Sequence, residues 1–348
     1  MLYSIPKTRM LTAAQNSLSP DSKPRSIFVE CMIFLLVTML CSVPQSLILS
    51  VVMIAMIFTD PAYYELISQS VESGEVAMDS MLEYAENFTA AHVSEIMLIT
   101  LAGSGFMILG AIIYCRAVEK RPLFTVGFNK RDVLPEYLLG IAVGALMISI
   151  PALICHLTGC VTLSFNENIS PLSIALFFLA FVLQGMGEEA IFRGYFLTTL
   201  CRRNREWVAI AVSSLMFAIF HVPNANFSII AFINITLFGI FAAVFMLKRG
   251  SIWAVGAIHT VWNFMQGNIF GFSVSGNPTL PSLFNATDQG FGSILSGGDF
   301  GIEGGLGATV VLLAALLLTL MMPAKKSELD TAISGNAQNS TEGTNGAE

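Results

Sequence analysis

Long apolar runs separated by short polar turns dominate the chain. Eight of them, at about 27–58, 96–115, 137–157, 171–200, 207–222, 229–247, 251–270 and 305–323, carry few charges. Most approach the ~20 residues with which a helix crosses a ~30 Å hydrocarbon core. Lipid offers the backbone no hydrogen-bond partners, so spans of this kind must be helical. The pattern predicts an all-α, polytopic membrane helix bundle of about eight transmembrane helices. The first apolar run, Ile27–Phe58, far exceeds the ~7–15-residue core of a cleaved signal and reads as a retained span.

Composition agrees with the pattern. Of 348 residues, 54% are hydrophobic and 12% charged, where a soluble domain carries about 25% charged residues; the mean hydropathy is +0.71. The net charge of −7 matters less than where the charges lie. Every Lys and Arg except Arg193 falls before residue 27, in the turns around 116–131, 202–205 and 248–249, or after residue 323. The intervening segments 59–95, 158–170, 223–228 and 271–304 contain none. The positive-inside rule then puts both termini in the cytoplasm and those four segments outside.

This divides the chain into a cytoplasmic segment 1–26, three helices with an acidic outer loop 59–95 (27–170), a polar-centred core 171–270, a Gly-, Ser- and Asn-rich outer loop 271–304 expected to be flexible, a last helix 305–323, and a tail 324–348 expected to be disordered. The acidic loop reads as a solvated surface, with a helical cap or a cation-binding face as alternatives. The six cysteines are scattered, without a CxxC; Cys155 and Cys160 are close enough to pair only if their loop is outside, and read as small buried residues. Asn87, Asn168, Asn226 and Asn285 head N-x-S/T triplets at chance level. No internal repeat is visible.

Against that apolar background, residues 187–196 read GEEAIFRGYF. Ionisable groups in hydrocarbon cost several kcal/mol unless they pair or line a cavity, so they mark function by default. Three short motifs hold them: Glu188-Glu189-x-x-x-Arg193, Phe217-x-x-x-His221 and His259-x-x-x-Asn263. Residues four apart share a helix face, so Glu189 pairs with Arg193 while Glu188, ~100° round the helix, points elsewhere. Depth adds a check. Glu188 lies 14 residues before Arg202, His221 lies 16 after Arg205 and Asn263 lies 14 after Arg249. At ~1.5 Å per residue all three sit roughly 21–24 Å from a basic turn. Three motifs distant in sequence are thereby expected in one layer.

A carboxylate and an imidazole sharing a water can take its proton and deliver hydroxide to a carbonyl. A second His and an Asn can donate to the oxyanion that forms. No Cys or Ser is paired with these histidines, which speaks against an acyl-enzyme. Water attack on an amide uses every member. Each residue also has a structural reading: an intramembrane ion pair for Glu189–Arg193, a helix-end donor for His221, interhelical contacts for His259 and Asn263, packing for Phe217. Those readings explain the residues singly but not their shared depth. His92 and His156 have no partner motif and read as structural, and Gly185, Gly187 and Gly194 read as points of close helix approach.

The three motifs in this order resemble the CAAX prenyl protease and bacteriocin-processing (Abi, or CPBP) family of intramembrane proteases, over about residues 171–270. The resemblance implies that Glu188 and His221 activate the catalytic water, that His259 and Asn263 form the oxyanion hole, and that Glu189 and Arg193 support the site, with Phe217 shaping it. Members of the family are described both as metalloproteases and as metal-independent glutamate proteases. This sequence has no HExxH and favours the form without a cofactor; a zinc site, if present, would use Glu188, His221 and His259. The implied substrate is a membrane-associated, prenylated or leader-peptide segment reached from the bilayer, with no nucleic-acid partner, and the implied location is a multi-pass place in the plasma membrane of a bacterium. The rival readings are a proton-coupled secondary transporter and an inactive membrane scaffold using the same buried polar groups.

Overall fold

The structure is a computed structural model describing residues 8–18, 25–73, 78–290 and 292–324. The chain is almost wholly helical. A short helix α1 (Arg9–Asn16) leads to α2 (Ile27–Ile57), then the outer pair α3 (Pro61–Ser73) and α4 (Met78–Ala91). Helices α5 (Val93–Gly103) and α6 (Gly105–Ile113) run on through a π-helical turn to Val118, and α7 (Val133–Leu157) follows. Helix α8 (Pro171–Glu189) widens into a π-helical stretch, Ala190–Leu197, that closes as α9 (Thr198–Cys201). Then come α10 (Glu206–His221), α11 (Ile229–Arg249), α12 (Trp253–Phe264) with a π-helical turn Met265–Ile269, the short α13 (Ser293–Ser296) and α14 (Leu306–Met321). Two five-residue strands, β1 (Val161–Phe165) and β2 (Phe284–Asp288), pair antiparallel, with Val161 opposite Asp288 and Phe165 opposite Phe284.

All eight apolar runs are helical, but they are unequal. Five are long and apolar enough to cross a membrane: Ile27–Ile57, Val93–Val118, Val133–Leu157, Pro171–Cys201 and Ile229–Arg249. Helices α10 and α14 have 16 residues each. At ~1.5 Å per residue such a helix covers about 24 Å, short of a full hydrocarbon core. Helix α12 is shorter again, with 12 residues before its π-helical turn. Burial does not follow length: α10 and α14 expose apolar side chains that include Leu215, Ile219, Val310 and Leu317, while α12 is the most sheltered. Ten of the 12 residues of α12 are buried, whereas α2 leaves a wide apolar surface exposed, including Phe28, Leu36, Met39 and Leu40.

Helix α12 sits between α7 and α8, and small residues make that position possible. A β-carbon at Gly140 would collide with the Ala254 carbonyl, one at Gly144 would lie 2.8 Å from Ile258 O, and one at Gly185 would lie 2.6 Å from Thr260 N. The backbones of α7 and α8 therefore approach α12 directly, the small-residue packing that joins helices in lipid. Gly187 and Gly194 serve other close approaches, to Ser104 and Val126. The remaining helices close the ring: α10 on α11, α11 on α14, α5 and α6 on α8, and α2 on α5 and α6.

At the basic end, the π-helical widening after Glu189 is held by a fully buried arginine. Arg121 Nη2 donates to Gly194 O at 3.4 Å and Tyr195 O at 3.3 Å, and Nη1 to Thr125 O at 3.1 Å. Its Nε donates to Glu119 at 2.6 Å, and Glu119 also pairs with Arg202 at 2.7 Å. Widened turns leave carbonyls without helical partners, and a guanidinium fork supplies several donors at once. Arg249 joins α11 to α7 through Glu136 at 2.5 Å.

The opposite end carries the loops that lack Lys and Arg. There α3 and α4 pack on each other as a largely exposed acidic hairpin, with Tyr84 donating to Asp60 at 2.9 Å. Segment 271–304, expected to be flexible, includes β2, α13 and two 3₁₀ turns with Phe300 and Ile302 buried. The six cysteines are free, and Cys155 and Cys160 are buried. The tail beyond residue 324, expected to be disordered, lies outside the described residues.

Candidate active site

Helix α8 brings Gln184, Glu188 and Glu189 to α12, where His259 and Asn263 lie one turn apart. Gln184, one helical turn before Glu188, uses both ends of its amide. Its Nε2 donates to Glu188 Oε1 at 2.5 Å, and its Oε1 accepts from Asn263 Nδ2 at 3.1 Å. The imidazole of His259 is flanked by two carboxylates. Its Nδ1 is 2.9 Å from Glu189 Oε1, and its Nε2 is 3.8 Å from Glu188 Oε2, too far for a direct hydrogen bond. Glu188 Oε2 is buried and without a hydrogen-bond partner.

Glu189 also faces Arg193, with Oε2 3.3 Å from Nε, both side chains fully buried. The contact is an ion pair without hydrogen-bond geometry, and none of the three guanidinium nitrogens has a hydrogen-bond partner. What receives the cation instead is an aromatic face: Arg193 Cζ lies 4.2 Å from the centroid of Phe217 and 5.8 Å from that of Phe192. A ring face attracts a desolvated guanidinium through its quadrupole. A polar chain thus runs Asn263–Gln184–Glu188, passes to His259 across the 3.8 Å gap, and continues through Glu189 to Arg193.

The Phe217–His221 motif enters from α10. Phe217 does more than line a floor: its ring carries Arg193, sits edge-on to His259 at 6.0 Å, and its carbonyl oxygen is 2.8 Å from His221 Nδ1. With the proton assigned to Nδ1, which then donates to Phe217 O, Nε2 of a neutral His221 is an acceptor. His221 and Glu188 make no hydrogen bond to each other; within the described residues the polar side chains beside Glu188 are Gln184 and His259. The resemblance implies a water shared between them rather than a direct bond.

Phe217, His221, Phe238, His259 and Asn263 line one cavity, completed by Asn234, Ser275, Glu303 and Leu312 among others. Its free room is about 20 Å³, on the order of one water molecule. The alternative zinc set does not assemble. Among the described residues no three His, Cys, Asp or Glu side chains are grouped to hold an ion, so Glu188, His221 and His259 do not fit a metal in this arrangement.

Three polar participants escaped the motif reading. Gln184 sits inside an apolar run, and its signal is the four-residue spacing to Glu188. Asn234 lies in an apolar helix with no neighbouring motif, and Glu303 is 40 residues beyond Asn263 in a glycine-rich stretch. Only folding reveals that they face the same cavity.

Comparison with protein families matches residues 170–265 to a family described as Rce1-like, type II CAAX prenyl endopeptidase. The matched segment contains all three motifs and ends before Ser275 and Glu303. No curated protein and no solved structure matches the chain.

Proposed function

We infer that this chain, whose residues 170–265 match the family described as Rce1-like, type II CAAX prenyl endopeptidase, hydrolyses a peptide bond of a membrane-associated substrate by direct attack of water. The observation that carries the reading is the buried frame around Glu188: one carboxylate oxygen fixed by Gln184, the other unpartnered and turned towards His259.

Glu188 Oε2 has spare acceptor capacity in a place closed to bulk solvent, which is what a general base needs. A water admitted with the substrate to Glu188 Oε2 gives its proton to Glu188, and hydroxide adds to the scissile carbonyl. His221 Nε2, left free as an acceptor, takes the water's second hydrogen and orients its lone pair. Asn263, whose amide is already aligned by Gln184, donates to the oxyanion. His259 contributes from Nε2 when that nitrogen carries a proton, and Glu189 fixes the ring by accepting from Nδ1. Collapse of the tetrahedral species sends the proton from Glu188 to the leaving amine. Arg193 pairs with Glu189, and Phe217 keeps Arg193 in place. No step needs a metal ion.

The test uses the full chain reconstituted in liposomes with a panel of acylated peptides, each reporting cleavage by mass spectrometry. The native protein cleaves a subset of the panel and Glu188→Gln cleaves none of it, while Glu188→Gln retains the native thermal stability. Equal cleavage by the two proteins overturns the reading.

A further inference from the structure

Glu303 is a carboxylate in the catalytic cavity to which the proposed hydrolysis gives no task. It lies beyond the family-matched segment, is 9% exposed, and lines the same cavity as His221, His259 and Asn263. The chain goes to some trouble to put it there. Asn234 of α11 donates to the carbonyls of both Glu303 and Gly305 at 2.8 Å, and Thr309 Oγ1 of α14 fixes Asn234 Oδ1 at 2.7 Å. On the side-chain end, Ser275 gives Oε1 two donors, its backbone N–H at 2.5 Å and its hydroxyl at 2.6 Å. Ser275 adopts φ of +51° to do so, a backbone conformation that non-glycine residues seldom take. Asn224, three residues past His221, ties down the Ser275 carbonyl at 2.9 Å.

All of this engages one oxygen. Oε2 has no hydrogen-bond partner among the described residues, and it is not sealed away like Glu188 Oε2. Among the described residues no Lys or Arg lines the cavity, so no permanent protein cation balances the carboxylate there. A desolvated carboxylate without a counter-charge is costly. That cost is relieved when a cation arrives with the substrate.

We propose that Glu303 is a specificity residue that binds a primary ammonium group of the substrate, a lysine side chain or a free N-terminal amine close to the scissile bond. This rests on the endopeptidase reading. The single free oxygen selects the ammonium: with Oε1 taken up by the two Ser275 donors, Oε2 suits a one-point –NH₃⁺ head and not the two-point fork of an arginine. The face from which it would enter is suited to collecting cations. Segments 59–95, 158–170 and 271–304 contain Asp or Glu but no Lys or Arg, segment 223–228 carries no charge, and Ser275 and Glu303 belong to 271–304. A field of one sign over the mouth raises the local concentration of the opposite charge.

The liposome assay tests this with peptides carrying Lys, Arg, Gln or Glu beside the scissile bond, each with a free or an acetylated N-terminus. The native protein favours a primary ammonium over Gln at least tenfold in kcat/KM, mostly through KM, and favours Lys over Arg. Preference that survives acetylation identifies the lysine side chain; preference lost on acetylation identifies the terminal amine. Glu303→Gln keeps an oxygen for the two Ser275 donors, so it removes the charge without removing the clamp, and it brings the ammonium-to-Gln ratio close to one. Glu303→Asp keeps the charge and retains a reduced preference. An unchanged ratio in Glu303→Gln, or a native preference for Gln or Glu, overturns the proposal while leaving peptidase activity intact. A native protein that cleaves no peptide, like Glu188→Gln, overturns the endopeptidase reading and this one with it.

Discussion

His259 Nδ1 lies 2.9 Å from Glu189 Oε1, which makes the second glutamate of the pair, not the first, the direct partner of the imidazole. The same carboxylate faces Arg193 at 3.3 Å through its other oxygen. Glu189 is therefore the joint between the Arg193 guanidinium and the His259 ring.

Removing one charge from that joint leaves the other buried and unpaired. Glu189→Gln and Arg193→Met are each expected to destabilise the protein by about 3–5 kcal/mol, the range for a broken buried pair. The double variant recovers much of the loss, because neither charge remains. Thermal unfolding of the four proteins in one detergent checks the cycle; additive losses would show that the pair is not coupled.

Gln184→Leu tests a residue with no part in the motifs. It keeps the volume of the side chain but frees Glu188 and Asn263 from their shared amide. Each lost bond to a buried group is worth about 1–3 kcal/mol, so kcat falls roughly ten- to a hundredfold. KM for a cleaved peptide changes little, since the loss is in alignment for reaction and not in substrate contact.

Phe217→Leu leaves its backbone carbonyl available to His221 Nδ1 and removes the ring beneath Arg193. The expected cost is about 1–2 kcal/mol of stability, the worth of a desolvated cation–π contact. Phe217→Tyr retains the ring and is expected to lose less. Denaturation midpoints of the three proteins check the order.

Gly185→Val places a branched side chain where a β-carbon alone would lie 2.6 Å from Thr260 N. Backbone cannot yield as a side-chain tip can, so α12 must move away from α8, at a cost of about 1–3 kcal/mol or more. Because His259 and Asn263 ride on α12 while Glu188 rides on α8, activity falls further than stability alone explains. Cleavage measured well below the unfolding midpoint separates the two effects.

The sequence revealed the helices more fully than the contacts between them. Apolar run length placed eight helical segments, and residue spacing paired Glu189 with Arg193, because both properties belong to a single helix. What one helix cannot encode is which neighbour it meets. The partner of His259 depends on α12 lying against α8, which depends on glycines at 140, 144 and 185 whose spacing gives no unique neighbour. Run length alone also does not say which short helix is sheltered: α12 is buried almost throughout, while α10 and α14 expose Leu215, Ile219, Val310 and Leu317. Glu303 was illegible for a different reason. Its position comes from clamps on α11 and α14 and from Ser275, none of them near it in sequence except Gly305 and Thr309.

The most direct measurement compares all protein termini in membranes carrying the native chain with those carrying Glu188→Gln, by mass spectrometry, with and without a chelator. New termini that occur only with the native chain, and that persist under chelation, are the predicted result. Identical terminus profiles from two equally folded proteins would contradict the account.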